Sequence, residues 1–89
     1  MRTIERTVAF KRDFKRRHRE ILETELRRLI AALASDEPLE PRHRDHPLSS
    51  DWKDSRDCHV RPDLVLIYRL IGDDRLILVR LGSHSELNL

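Results

Sequence analysis

The sequence predicts an α+β fold in which an N-terminal strand and two helices precede a small sheet of antiparallel strands. Two observations support this prediction. Apolar residues recur at helical spacing in the first half of the chain, whereas short β-rich runs separated by turn residues fill most of the second half. Because 89 residues suffice for one small unit, residues 1–89 are expected to form a single domain.

The first half contains one short strand and two helices. The strand begins at residue 3 and ends at Thr7, whose hydroxyl can cap the next helix. Phe10 and Phe14 lie one turn apart in that helix and are expected to pack in the core. A second helix is predicted over residues 20–34. Its apolar face is formed by Leu22, Leu26, Leu29, Ile30 and Leu33.

The second half begins with a long connection. Residues 36–51 carry three of the four prolines and show no periodicity, so this segment is predicted to lack regular structure. Three strands are then predicted, at about residues 52–60, 64–71 and 75–81. The turn residues 72–74 join the last two strands into an antiparallel hairpin, and the helices are expected to cover one face of the sheet.

Positive charge is concentrated near the start of the chain. Residues 1–35 contain ten Lys and Arg against five Asp and Glu, although the whole chain has a net charge of only +2. A basic helix face attracts nucleic acid, and the alternative is an ordinary solvated helix surface. The candidate RNA-binding residues are Lys11, Arg12, Lys15, Arg16, Arg17 and Arg19.

Cysteine content and hydropathy indicate where the protein works. Cys58 is the only cysteine and cannot form an internal disulfide; it is predicted to be a small buried residue. The first residues lack the apolar run of a signal peptide, and no segment reaches the roughly 18 apolar residues that a membrane span needs. These features predict a cytoplasmic protein without membrane contact.

Histidine is the residue type that points to chemistry. His46, His59 and His84 lie in three separate elements, and together with Asp63 they are predicted to meet at one end of the sheet. Histidine can take or give a proton near neutral pH, as RNA cleavage by the 2′-hydroxyl requires. Each histidine alone is more simply explained as a surface or packing residue. A zinc site formed with Asp45 is a further alternative, although no closely spaced ligand pair is present.

The same chemistry also needs fixed positive charge and a carboxylate. Arg56, Arg80 and Lys53 are candidates to stabilise the charge that develops on a phosphate under attack. Asp57 or Asp63 can orient an imidazole or act as a base. Because residues alternate along a strand, Asp57 and His59 are expected on the sheet face opposite Cys58.

Five short motifs follow one another in the second half of the chain. They are Asp45-His46-Pro47-Leu48, Trp52-Lys53, Arg56-Asp57 with His59-Val60 and Pro62-Asp63, Leu66-Ile67-Tyr68, and Gly82-Ser83-His84. In this combination they resemble the YafQ-type branch of the RelE superfamily of toxins. The predicted strand and helices of the first half match that branch too, so the resemblance covers nearly the whole chain.

The resemblance implies both a fold and an activity. The fold is the RelE-like, microbial-ribonuclease-like α+β fold, and the activity is cleavage of mRNA in the ribosomal A site without a metal or other cofactor. By position, His46, His59, Asp63 and His84 match residues that the family needs for cleavage. We expect His84 to act as the acid, His59 and Asp63 to act on the base side, and His46 to position the phosphate.

The resemblance also implies supporting residues and two departures from the family pattern. Asp57 and Arg80 match supporting positions. The family often has an aromatic residue where this chain has Leu64, and another where it has Asn88. Base stacking is therefore expected to be weaker at both positions.

Relatives of this type are held inactive by an antitoxin. The resemblance implies a ribbon-helix-helix antitoxin with a disordered tail, ribosome and mRNA as further partners, and operator DNA contacted only through the antitoxin complex. The basic helix can then grip ribosomal RNA or receive an acidic antitoxin segment. Two alternatives share the fold: a ParE-like gyrase inhibitor, and a catalytically weak or dead co-repressor bound to its antitoxin.

Overall fold

The computed structural model describes residues 1–17 and 23–89. Its helices and strands are β1 (Thr3–Arg6), α1 (Val8–Arg17), α2 (Glu23–Ala34), β2 (His46–Pro47), β3 (Arg56–Arg61), β4 (Leu64–Ile71) and β5 (Arg75–Gly82). Short 3-10 turns at Pro41–His43 and Ser50–Trp52 flank β2. The predicted α+β order of a strand, two helices and a group of strands is confirmed. Leu22 of the predicted helix face, the basic Arg19 and His18 lie outside the described residues.

The five strands form one sheet in the order β1-β5-β4-β3-β2. The three predicted strands β3, β4 and β5 pair antiparallel, as expected, and β2 also pairs antiparallel with β3. The expected hairpin of β4 and β5 turns at Gly72, which has a φ of 53°. The prediction of a wholly antiparallel sheet is wrong for β1, which pairs parallel to β5. Short turns require β3, β4 and β5 to pair antiparallel, whereas the helices between β1 and the later strands allow β1 to run parallel to β5.

The long connection contains a strand that the sequence did not predict. In β2, His46 pairs with Asp57 and Pro47 pairs with Arg56. A strand of two residues is too short to show alternation, so hydropathy gave no signal for it. The next predicted strand also begins later than expected, because residues 50–52 form a 3-10 turn and β3 starts at Arg56.

The main core lies between the helices and one face of the sheet. Phe10, Leu26, Leu29 and Leu33 are buried there, and Phe14 and Ile30 pack at its margin. The sheet contributes Cys58, Val60, Leu64, Leu66, Tyr68, Leu76, Leu78 and Leu81. The predictions of core packing for the two phenylalanines and of burial for Cys58 are confirmed.

Thr7 fixes the junction between β1 and α1. Its Oγ1 accepts a hydrogen bond from the backbone N–H of Phe10 at 2.9 Å, which confirms the predicted helix cap. The same hydroxyl donates to the carbonyl of Val79 at 2.7 Å. One side chain therefore both starts the helix and ties it to β5.

The opposite face of the sheet carries a smaller apolar cluster. Val65, Ile67 and Leu87 are buried in it, and Leu48, Trp52 and Val79 pack around them. This cluster holds the connection around β2 and the C-terminal turn against the sheet, so it positions the segments on which His46 and His84 lie. Neither of the described helices is long and apolar enough to cross a membrane.

Candidate functional site

The three predicted histidines come together on the sheet face opposite the helices. Cys58 packs in the core on the helix side, so its neighbours Asp57 and His59 project from the other face, as predicted. β2 brings His46 beside Asp57. The rings of His59 and His84 meet edge to face, with their centroids 4.9 Å apart. The convergence predicted from three separate elements is therefore present in the structure.

His84 and Asp63 form the most direct acid–base pair. The Nδ1 of His84 lies 2.9 Å from Oδ1 of Asp63, and the backbone N–H of His84 donates to the same oxygen at 3.3 Å. The contacts with His84 hold the pKa of the Asp63 carboxyl below its ordinary value. A carboxylate at Nδ1 orients the imidazole and leaves Nε2 for another partner.

A capped turn holds His84 in place. The backbone N–H of Ser83 donates to the Glu86 carboxylate at 2.9 Å, and the backbone N–H of Glu86 donates to Oγ of Ser83 at 3.2 Å. This reciprocal arrangement is a capping box. Leu87 is buried below the turn, and its carbonyl accepts a hydrogen bond from Nε1 of Trp52 at 3.1 Å. His84 is therefore presented by a turn that is anchored on both sides.

His46 has a defined orientation as well. Its Nδ1 lies 2.7 Å from the carbonyl oxygen of Arg44 and 3.0 Å from Oδ1 of Asp57. Because a carbonyl can only accept, Nδ1 carries the proton and directs it at Arg44. In a neutral ring, Nε2 is then the acceptor. Oδ1 of Asp57 is buried and accepts no hydrogen bond from the described residues, despite its short distance to His46.

The electrostatics of Asp57 follow from its position beneath the three histidines. Burial raises the pKa of this carboxyl, and the positive charges of His46, His59 and His84 offset that rise only in part. The net pKa lies above the ordinary value. Asp57 is thus a buried carboxyl with one unsatisfied oxygen, and it can respond to the charge state of the imidazoles.

His59 is shifted toward its neutral form. Burial lowers the pKa of its imidazole, the charge of His84 lowers it further, and Asp57 opposes both effects. The backbone carbonyl of His59 also accepts from Nδ1 of His43 at 2.7 Å. His43, which is not one of the three predicted histidines, is buried and holds β3 through this bond.

The predicted cations occupy different environments. Arg80 binds Asp13 through two hydrogen bonds, at 2.7 and 3.2 Å, and its guanidinium is therefore part of a structural pair. Arg56 contacts Asp45 at 3.3 Å. Lys53 is exposed beside the turn at Ser50–Trp52. The pairing of Arg80 with a residue of α1 carries no sequence signal, since the two positions are far apart in the chain.

Asp45, the carboxylate of the zinc alternative, is held by other side chains. Oδ1 of Asp45 accepts from the hydroxyl of Tyr68 and from Arg56, so this carboxylate is engaged away from the histidines. Among residues 1–17 and 23–89, no group of three or more His, Cys, Asp or Glu side chains is placed to hold a metal ion.

An open pocket of about 380 Å³ adjoins the histidines. Its lining includes His46, His84, Asp57, Leu48, Ser49, Ser50, Asp51, Trp52, Asn88 and Leu89. The end of α1 approaches the same region, because Arg17 pairs with Glu86 of the capped turn and Arg16 lies 3.9 Å from it. The basic helix and the histidine cluster thus border one continuous surface.

The coupling between His59 and His84 gives a testable expectation. Because the charge of His84 lowers the pKa of His59, replacing His84 with Gln should raise the pKa of His59. Replacing Asp57 with Asn should lower it, since Asp57 acts in the opposite direction. Both shifts can be read from the imidazole resonances in a pH titration by NMR. An unchanged pKa of His59 in His84→Gln would show that the two rings do not interact, and an unchanged pKa in Asp57→Asn would show the same for Asp57 and His59.

Comparison with known proteins gives one consistent family. Residues 2–89 match the model of the YafQ family, described as the bacterial toxin of a type II toxin–antitoxin system. The mRNA interferase toxin YafQ of Escherichia coli strain BL21-DE3 is 40% identical to this chain, over 97% of the chain and 95% of the relative.

Solved structures agree with that family. A copper-bound L66S mutant toxin from Helicobacter pylori is 42% identical, with a TM-score of 0.90 and coverage of 98% of this chain and 99% of the other. E. coli YafQ is 38% identical, with a TM-score of 0.87 and 98% coverage of each chain. The E. coli DinJ–YafQ complex gives a TM-score of 0.84 at 38% identity and the same coverage. At these identities the chain resembles those toxins in sequence as well as in fold.

Proposed function

This chain belongs to the YafQ family of bacterial type II toxin–antitoxin toxins, and on that premise we propose that it is an endoribonuclease that cleaves mRNA in the ribosomal A site. The observation that carries the proposal is the grouping of His46, His59 and the His84–Asp63 pair on one face of the sheet. It brings two imidazoles into contact: His59, whose pKa is lowered, and His84, which is bonded to a carboxylate. A protein that acts on translating ribosomes works in the cytoplasm.

The proposed reaction is an internal attack that needs no metal. A base removes the proton of the 2′-hydroxyl, the oxygen bonds to phosphorus, and the bond to the 5′-oxygen breaks as an acid protonates it. The products are a 2′,3′-cyclic phosphate and a 5′-hydroxyl. His59 suits the base, because its lowered pKa keeps the ring neutral at pH 7.

His84 suits the acid in the same scheme. The Asp63 carboxylate holds the ring through Nδ1 and leaves the opposite nitrogen to deliver a proton. The proposal therefore keeps His84 as the acid and moves Asp63 from the base side to a role as partner of His84. His46, whose Nδ1 is fixed by a backbone carbonyl, positions the phosphate, and Asp57 favours the proton that His59 gains as the base.

The partners in this proposal follow from the surface next to the site. The basic face of α1 would contact ribosomal RNA through its phosphates. It is formed by Lys11, Arg12, Lys15, Arg16 and Arg17, with Arg19 outside the described residues. We further propose a ribbon-helix-helix antitoxin whose disordered tail covers this surface, with operator DNA bound only through that complex. The DinJ–YafQ complex of E. coli supports an antitoxin partner.

Mapping of mRNA ends on purified ribosomes tests the function. The toxin is added to a defined mRNA with ribosomes, without ribosomes, and with ribosomes after dialysis of the toxin against a chelator. We expect codon-phased cuts only with ribosomes, and equal cutting after chelation. The comparison with and without chelation tests metal independence, which matters because the structure of an L66S mutant toxin from H. pylori is copper-bound. Intact mRNA with altered DNA supercoiling in cells would instead indicate a gyrase inhibitor, and no toxicity would indicate a co-repressor.

A further inference from the structure

Arg44 is a cation that neither the sequence motifs nor the family pattern assigned to the site. It directly precedes Asp45 and His46, and its side chain is exposed. Within residues 1–17 and 23–89, no acidic side chain forms an ion pair with its guanidinium. The neighbouring arginines differ, since Arg42 pairs with Glu40 at 3.0 Å and Arg56 contacts Asp45 at 3.3 Å.

The backbone of Arg44 is fixed on both sides. Its conformation is left-handed, with φ 46° and ψ 44°, and its N–H donates to the carbonyl of Pro41 to close the 3-10 turn. Its own carbonyl accepts from Nδ1 of His46 at 2.7 Å. One residue earlier, His43 is bonded to the backbone of His59 at 2.7 Å. A left-handed arginine is uncommon, and here the turn, His43 and His46 together maintain it.

These anchors hold the backbone of Arg44 next to His46 and to the turn that is bonded to His59. The positive charge of Arg44 contributes to the lowered pKa of His59, after the larger effects of burial and His84. Arg80 and Arg56, the arginines that the sequence suggested for this task, already bind Asp13 and Asp45. Among the arginines of residues 1–17 and 23–89 that the sequence or the fold places near the imidazoles, Arg44 is thus one without a carboxylate ion pair.

We propose that Arg44 binds the phosphate that undergoes cleavage, next to His46 and His59. This inference rests on the proposed function for the identity of the substrate, an RNA phosphodiester. A guanidinium offers paired N–H donors that match two phosphate oxygens, and it stays charged throughout the reaction. Because negative charge grows on those oxygens in the transition state, Arg44 stabilises the transition state more than the bound substrate.

The first test measures phosphate binding without relying on catalysis. The wild type, Arg44→Gln, Arg44→Lys and Arg42→Gln are titrated with uridine 3′-monophosphate, and the imidazole resonances of His59 and His84 are followed by NMR. Arg42→Gln is the matched control. It removes an equal charge two residues before Arg44, and that charge belongs to an exposed ion pair with Glu40. We expect Arg44→Gln to weaken binding about tenfold, Arg44→Lys to recover most of it, and the control to bind like the wild type.

A pH titration of the proteins without nucleotide measures the pKa of His59. This pKa would not respond to the Arg44 charge if Arg44 only maintained the turn. Loss of the Arg44 charge should raise the pKa of His59, whereas Arg44→Lys should leave it unchanged. Equal affinities of Arg44→Gln and Arg42→Gln for the nucleotide would overturn the proposal. So would a wild type that does not bind the nucleotide.

Cleavage on ribosomes separates this inference from the proposed function. If mRNA is cut and Arg44→Gln cuts at the wild-type rate, the phosphate site is wrong and the endoribonuclease stands. If no mRNA is cut while nucleotide binding depends on Arg44, the phosphate site stands and the proposed function is wrong. When both are correct, kcat should fall more than KM rises, and Arg44→Lys should restore part of kcat.

Discussion

Replacing His84 with Ala is expected to slow mRNA cleavage by about 10²–10⁴-fold, the range for loss of a general acid. The side chain of His84 is 40% exposed and lies outside both apolar clusters, so its removal should not unfold the protein. The turn that carries it keeps the Ser83–Glu86 capping box, because that box uses no atom of the imidazole. The measurement is single-turnover cleavage on purified ribosomes, together with thermal unfolding.

Ser85→Ala is the matched control for the His84 variant. Ser85 is the next residue of the same turn, and its hydroxyl makes only a 3.3 Å contact with Ser83 among the described side chains. Its cleavage rate and melting temperature should both stay close to those of the wild type. Cleavage by His84→Ala within tenfold of the wild-type rate would remove His84 from the role of acid. An equal loss in Ser85→Ala would instead indicate that the turn has been disturbed.

The strands next to tight turns were predictable from sequence because their signals are local. β4 occupies the predicted residues 64–71, and β5 differs from its prediction by one residue at its end. Both are dense in β-branched and leucine residues and are separated by a three-residue turn. The side-chain alternation in β3 likewise placed Asp57 and His59 on one face. The grouping of the histidines followed from that geometry and from the family motifs.

Features that depend on contacts between distant segments gave no such signal. β2 exists because His46 and Pro47 pair with β3, and its two residues have no pattern of their own. The parallel entry of β1 is set by packing through the helices. The role proposed for Arg44 depends on its left-handed backbone and on the absence of a carboxylate partner among the described residues, and only a structure shows these properties.

The pair of Asp13 and Arg80 is another contact between distant segments that the sequence does not signal. We expect removal of the Asp13 side chain to destabilise the fold strongly. Its carboxylate is 3% exposed, binds Arg80 through two hydrogen bonds, and accepts from the backbone N–H of Leu81 at 3.0 Å. Asp13→Ala leaves a partly buried guanidinium and a buried N–H without their acceptor. A broken buried pair costs about 3–5 kcal/mol, and since Arg80 is 30% exposed we expect about 2–3 kcal/mol here.

Urea unfolding at several pH values measures this contribution and its origin. Burial raises the pKa of Asp13, but the bonds from Arg80 and Leu81 outweigh it, so the folded pKa lies below the ordinary value. The stabilisation is therefore complete above the unfolded pKa of about 3.9 and is lost as the pH falls through the lower folded value. The difference between wild type and Asp13→Ala should shrink below about pH 4.

Glu23→Ala serves as the control for Asp13, because it breaks an exposed pair with Arg27 one turn along α2. Such a pair contributes about 0.3–0.5 kcal/mol, so its loss should be small. Equal destabilisation by the two variants would contradict a structural role for the pair of Asp13 and Arg80. In that case Arg80 would be free to contact RNA, as the sequence suggested. A large difference would instead mean that Arg80 fixes β5 against α1, so that its guanidinium is committed to the fold.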